Sequence, residues 1–600
     1  MPAGATRRMD QLQARNEQVQ TGRKSANPTP APAYELSFLH ALEPALVDLA
    51  KYRMRLAVNA GNADTEGLYE AVVQLVKSKG LDLKVAWVSG DQVLSTVKDA
   101  LLSGKSDLQN IYTGQSLSDW PFEPISAQCY LGGLGIAAAL ANGADIVLCG
   151  RVADASAVIG AAYWFHSWKR SDLDRLANAF VAGHLIECSN YVCGGNFTGF
   201  KMLESLNGRD GWTNIGYPIA EISSEGQVII TMQNSAVGGA VTVDTCTAQL
   251  LYEIQGPRYL NSDVTALLSD ISFEQLGTNR VALHGVGSAP PPATTKVGIS
   301  ARGGFQAEAS YFLVGLDIPA KARMLEAQIR HLLAPYAAGF TQLTFSTLGS
   351  APDDPRTQDS ATVTFRVVAQ ARTADALAPS RFLRPITDNI MQGYPGATWH
   401  IDTRQGFPRP IFEYFVCLLP QTDIQHRVHL PWQRTAEGDQ PPGVIDIPPP
   451  PSSPLQSQIP SPPPIPPAPA SPNLLSSKPF GPTTPAPLGW IVYARSGDKG
   501  PDANCGFWVR HADEFPWLRC VLTETTIREL LGPQYTSNPD LKVERFELPH
   551  LRAVHFLFRN LLDRGVCATV TVDFLGKNVA EFLRARVVDV PVRFLEQGRL

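Results

Sequence analysis

Six hundred residues exceed what one ordinary hydrophobic core accommodates, and a hydrophobic content of 44% is enough to build two or three. A formal net charge of -5, from 51 Lys+Arg against 56 Asp+Glu, offers no long-range attraction to phosphate backbones or acidic lipid, so nucleic acid is not an expected partner. Nine cysteines without a CxxC pair or Cys/His ligand spacing argue against a disulfide framework and give no metal assignment, and no apolar stretch has the length of a membrane span, so the cytoplasm is the expected compartment.

In chain order, residues 1–34 are polar and Pro-containing, with no apolar run, and read as disordered. Residues 35–430 form a large domain. "MRLAVNAG" (54–61) reads as a strand. "DTEGLYEAVVQLVKSKG" (64–80) reads as a helix, with Leu68, Val72, Leu75 and Val76 at helical spacing and a closing Gly. "DLKVAWVSG" (82–90) is the next strand, and "DQVLSTVKDALLSG" (91–104) a helix with Asp91 as N-cap. "AQCYLGGLGIAAALANG" (127–143) reads as a helix opened by glycines, and "ADIVLCG" (144–150) as a buried strand. This alternation predicts an α/β fold, a parallel-type β-α arrangement with helices on the sheet faces. From Glu221 onward "QVIITM", "AVTVDTCTAQLLYEI" and "RVALHGV" suggest antiparallel pairing, an α+β second half. Residues 431–488 are a Pro-rich linker, a semi-rigid spacer or a PxxP ligand for an SH3 or WW partner. Residues 489–600 form a small domain of strands and a few helices.

In open parallel sheets, ligands bind beyond the carboxyl ends of the strands, where loops meet helix N-termini. Three loops qualify: "NAGNADTEG" (59–67), "VSGD" (88–91) and "GRVADAS" (150–156). They gather Asn59, Asp64, Glu66, Asp91, Arg151, Asp154 and Ser156 on one rim, with carboxylates for proton transfer and a guanidinium for an anion. The competing reading is local: N-caps and an internal salt bridge. "HLIECSNYVCGGNFTGF" (184–200) offers paired glycines and Asn196 for close ligand approach, while its HxxE spacing, His184 to Glu187, is too weak to assign a ligand. "YEIQGPRYLNSDV" sets Glu253, Tyr259 and Asp263 around a turn, and Lys296 and Arg302 would bind an anion or decorate a surface hairpin. "YARSGDKGPDANCGFWVR" (493–510) places Arg495, Ser496, Asp498, Lys499 and Asn504 between two apolar strands, too charged for a plain hairpin tip. The absence of a GxSxG elbow, a Walker A loop and a complete GxGxxG fingerprint argues against elbow hydrolase, NTPase and simple nicotinamide chemistry, and the cofactor is unassigned.

The segments "LAVNAGNADTEGL", "ADIVLCGRVADAS", "AGHLIECSNYVCGGNFTGF" and "ARSGDKGPDANCG" resemble the acyclic terpene utilization (AtuA-type) family from about residue 36 to the end. The resemblance implies a ferredoxin-like C-terminal domain and a role near the breakdown of acyclic monoterpenes through branched acyl-CoA intermediates, or in fungal secondary metabolism. Family members usually begin with a further strand, Gly-rich loop and helix where residues 1–34 stand here, which implies an amputated cleft wall. The leading expectation is an enzyme using hydration, lyase or hydrolytic chemistry on a branched acyl or isoprenoid acid or its CoA thioester. In it Asp64, Glu66, Asp154 and Asp498 carry proton transfer, and Asn59, Arg151, Ser156, Asn196, Arg495, Ser496, Lys499 and Asn504 bind substrate. The alternatives are a non-catalytic scaffold or binding subunit and a truncated inactive paralogue, and a homo-oligomer is an open expectation for partners.

Overall fold

The computed structural model describes residues 33–103, 108–204, 206, 211–233, 238–433, 443–451, 480–532 and 538–600. The expected disordered segment therefore lies outside the described residues except for Ala33 and Tyr34, and most of the Pro-rich stretch lies outside them too.

Strands Leu56–Val58 and Val85–Ser89 each pair in parallel with Ile146–Cys149, which sits between them. Side chains alternate across such a strand. Ile146 and Leu148 therefore pack under helices Leu36–Lys51 and Thr65–Ser78, beside Leu42, Leu46, Leu68 and Val72, while Val147 and Cys149 face the opposite core with Ile136, Val297 and Phe415. The sheet continues in the antiparallel sense through Arg427–His429 and Val444–Asp446. That last strand falls inside the 431–488 stretch expected to be linker, and Arg170 donates to the carbonyls of Pro448 and Pro449 at 2.7–2.8 Å, which docks the chain after it. Thr483–Pro487 likewise pairs with Val587–Pro591 of the small domain.

Three local expectations are corrected. Asp91 caps no helix: the next helix is Leu94–Ser103, and the Asp91 carboxylate is buried and turned elsewhere. Residues 127–129, expected to open a helix, end the strand Pro124–Cys129 instead, because it satisfies the open edge of the strand Thr294–Val314, and the helix begins only at Leu134. "VDTCTAQLL" (243–251) is a helix despite its β-branched residues, since Thr242 and Thr245 form a reciprocal capping box and the segment is buried.

The second half is antiparallel. Pro218–Ile222, Val228–Met232, Arg280–His284 and Ser272–Gly277 make one sheet. The 21-residue strand Thr294–Val314 organises another, pairing first with Pro124–Cys129 and Arg409–Pro420 and then with Thr362–Ala371. It bends at a bulge where Gly304 has φ +122°, and a Cβ there would lie 2.3 Å from the Ala371 carbonyl oxygen.

The small domain is built of two hairpins, Val492–Lys499 with Asp502–Val509 and Lys542–Leu548 with Ala553–Arg559, whose second strands meet at the sheet centre. Its Tyr493, Trp508, Leu548 and Leu551 belong to the same apolar cluster as Phe180, Leu185, Leu250 and Leu251 of the large domain. The two domains thus share a core.

Helices Leu134–Ala141 and Ser156–Phe165 cross with Gly160 against Gly133, where an added Cβ would sit 2.4 Å from the Gly133 carbonyl oxygen. Gly160→Ala is expected to part the helices at a cost of about 1–3 kcal/mol, read as a lowered urea midpoint. An unchanged midpoint would show that this contact is loose.

Candidate active site

The loop after Ile146–Cys149 is held from behind. Asp91 Oδ2 accepts from the Arg151 backbone N–H at 2.9 Å and from Gln128 Nε2 at 3.2 Å. So fixed, the Arg151 guanidinium lies over the Tyr130 ring, 4.0 Å from its centroid, and its Nη2 reaches Asp154 Oδ1 at 3.1 Å. Other rim residues serve the backbone: Asp64 caps helix Thr65–Ser78 through Gly67 N at 2.9 Å, Glu66 is exposed on that helix, and the buried Ser156 hydroxyl faces the Leu131 carbonyl at 3.4 Å. Asn59 is buried, and its loop reaches the cleft through Asn62 instead. Asp64 and Glu66 are thus not brought to Arg151 and Asp154.

The opposite wall comes from the small domain. The segment "ARSGDKGPDANCG", expected to be too charged for a plain hairpin tip, is a tight hairpin turning at Gly500, φ +67°, with most of its polar residues buried within the strands. Arg495 lies against the rings of Tyr191 and Tyr252, 4.5 and 4.6 Å from their centroids, and donates to the backbone carbonyl of Asn196. The Asn196 side chain is not what Arg495 uses. Ser496 Oγ accepts from Ala580 N at 3.0 Å, an internal bond of the small domain. Asn504 crosses the boundary: its Oδ1 accepts from Glu253 N at 3.1 Å and its Nδ2 donates to the Leu251 carbonyl at 2.6 Å. Lys499 Nζ meets Glu253 Oε2 at 2.5 Å. On the far side Arg564 pairs with Glu413, and Arg366 and Gln370 donate to the carbonyls of Val570 and Ala568 at 2.6 and 2.8 Å.

Between these two clamps lies a cleft of about 380 Å³, lined by Tyr112, Tyr130, Arg151, Asp154, Glu187, Glu253, Lys296, Asp498, Lys499 and Lys577 among others. That is within the range of roughly 300–1,000 Å³ typical of small-molecule sites. Arg151, Asp154, Asp498 and Lys499 are brought together from two domains. Tyr130, Glu187, Glu253 and Lys577 were not assigned a role from the sequence, and Lys296 was one of two equal readings there.

The charges are organised. Burial alone would raise the Tyr130 phenol, but Arg151, Lys296 and Lys499 outweigh it and bring it down to about 8, against the opposing charge of Asp154. Burial lowers the Lys296 ammonium below its ordinary range, with Lys499 and Arg151 adding to the effect and Tyr130 opposing it. Burial raises the Glu187 carboxyl, against the pull of His184. His184 is fully buried; its Nε2 faces the carbonyl oxygens of Gln249 and Leu250 at 3.1 and 3.2 Å, two acceptors to which it donates. Its Nδ1 lies 3.1 Å from the Tyr259 hydroxyl and 3.4 Å from Glu187 Oε1. Asp154, Glu187 and Glu253 each bring a carboxylate oxygen within 4.8 Å of the others. Burial pushes the thiols of Cys129, Cys193, Cys246, Cys417 and Cys505 up, which suits packing rather than nucleophilic attack.

The Tyr130 environment gives a spectroscopic expectation. In an ultraviolet titration one of the 16 tyrosines should ionise near pH 8, and Tyr130→Phe should remove that step. Because the folded state favours the phenolate, its contribution to stability is full above the ordinary tyrosine value of about 10 and is lost as pH falls through about 8. A titration identical in wild type and variant would refute the arrangement.

No curated protein and no solved structure matches the chain. Two family models do: one described as acyclic terpene utilisation family protein AtuA, over residues 6–430, and one described as the AtuA ferredoxin-like domain, over residues 486–589. The second match falls on the two-hairpin domain and the first on the large domain that forms the other wall of the cleft, so the cleft is formed where the two matched regions meet, and the chain belongs to the acyclic terpene utilisation AtuA family.

Proposed function

We propose that the protein is an enzyme acting on a branched or isoprenoid carboxylic acid or its CoA thioester, with the acyl carbonyl or carboxylate held between Arg151 and Lys296 and a proton moved by Tyr130. The observation that carries this reading is the cationic wall of Arg151, Lys296 and Lys499 meeting the half-buried Tyr130 phenol and Asp154 in one two-domain cleft. Guanidinium and ammonium donors fix a carboxylate and stabilise an oxyanion developing beside it. A phenol tuned near neutrality then exchanges a proton with the adjacent carbon or with water. Addition or removal of water fits this set better than hydrolysis, since proton transfer is what the tuned groups supply. Asp154 orients Arg151, and Asp498 faces the substrate from the small domain. Family membership supports acyclic terpene metabolism as the setting.

Purified protein screened by thermal shift and mass spectrometry against branched acyl-CoAs and free isoprenoid acids is expected to yield a stabilising ligand that is converted on standing. Tyr130→Phe should lower turnover by about 10²–10⁴-fold with binding little changed. Arg151→Ala should instead weaken binding by about 10–100-fold, the loss of a charge-assisted pair. A well-folded protein that binds none of these compounds would overturn the reading.

A further inference from the structure

We infer that Asp154, Glu187 and Glu253 form a binding site for one hard divalent cation of the Mg²⁺ or Mn²⁺ class. The three residues come from separate elements: the loop after Ile146–Cys149, the last turn of helix Leu173–Glu187 and the turn that follows helix Val243–Leu251. Their convergence is therefore a product of tertiary structure, not of a local acidic run.

Each supplies a carboxylate oxygen, and the three oxygens lie within 4.8 Å of one another. Around a Mg²⁺ ion with bonds of about 2.1 Å, adjacent ligand oxygens sit about 3 Å apart and opposite ones about 4.2 Å, so closing on an ion draws the oxygens together by up to about 2 Å, within the reach of carboxylate rotation. A second observation points the same way. Glu187 Oε2 is buried without a hydrogen-bond partner on a side chain only one-tenth exposed. A buried carboxylate oxygen left unmatched is costly, and a cation at the cluster would satisfy it.

The surroundings fit a built site. His184 stands behind Glu187, fixed by the Gln249 and Leu250 carbonyls and by Tyr259. Glu253 holds its backbone in the left-handed region, φ +65°, where Asn504 binds its N–H from the other domain. An all-oxygen donor set without thiolate or imidazole selects Mg²⁺ or Mn²⁺ over softer metals. Three protein oxygens leave coordination positions open toward the cleft, suited to water and to a carboxylate or thioester oxygen. Lys499, 2.5 Å from Glu253, and Arg151, 3.1 Å from Asp154, are the groups with which the ion competes.

The site lies in the cleft assigned above but does not rest on the reaction proposed there. Full-length protein stripped with a chelator and titrated with Mn²⁺ alone, followed by calorimetry and by the Mn²⁺ paramagnetic resonance signal, should bind one ion per chain, and Mg²⁺ should displace it. Asp154→Asn and Glu187→Gln, which keep side-chain shape, should each weaken binding by about tenfold or more. Glu66→Gln, an exposed carboxylate outside the cleft, should not. Lys499→Met should tighten binding severalfold, a gain that a misfolded variant does not give. Absence of binding by folded wild type, binding that survives both ligand substitutions, or no tightening in Lys499→Met overturns the site. Metal binding intact alongside silence in the acyl screen would sink the functional reading and leave the site standing.

Discussion

The seat of the hairpin Val492–Val509 on helix Val243–Leu251 is the contact on which the cleft depends. Gly497 and Gly506 make it possible: a Cβ at the first would lie 2.2 Å from the Tyr252 ring, and at the second 2.7 Å from Leu251 Cβ. With no side chain there, strand and helix lie flush, and Trp508 closes the join by burying its ring and donating to Asp244 Oδ1 at 3.0 Å. A buried aromatic of this size adds about 1.5–3 kcal/mol through area alone. Move this hairpin by one residue and every buried polar side chain on it changes face. The strand that carries Asp498 and Lys499 into the cleft is thus positioned by packing far more than by its own charges.

That packing explains how so many ionisable groups persist out of water. Lys499 and Glu253, and Arg564 and Glu413, are set opposite one another across the domain boundary, while Arg151 and Asp154 pair within one loop. Burying an unpaired charge is costly, and a buried pair is at best weak evidence for stability, so a concentration of them in one cleft is better explained by chemistry than by fold maintenance. Tyr191 and Tyr252, flanked by Arg495 and by Lys577, seal the cleft at the domain boundary with surfaces that are apolar on the face and polar at the tip.

Much of this was readable from the chain where periodicity or local chemistry is strong. The buried run "DIVLCG" and the helix 64–80 announce themselves, and so does the density of polar residues after Tyr493. What escaped was placed by distant contacts. Tyr130 follows a strand formed only because Thr294–Val314 offers an edge, and Glu253 is presented by Asn504, some 250 positions away along the chain. Asp64 shows the opposite failure: an Asp before a helix fits a catalytic rim and an N-cap equally, and here the helix takes it. Residues 444–446 were hidden by the prolines around them, although they complete a sheet edge.

The central claim is that one ligand site is shared by both domains. Hydrogen–deuterium exchange of the full chain, with and without a branched acyl-CoA, tests it most directly. The account predicts that the ligand slows exchange together in the Gly150–Asp154 loop and in the hairpin turn around Lys499 and Gly500. Protection confined to one domain, or appearing away from both segments, would contradict it.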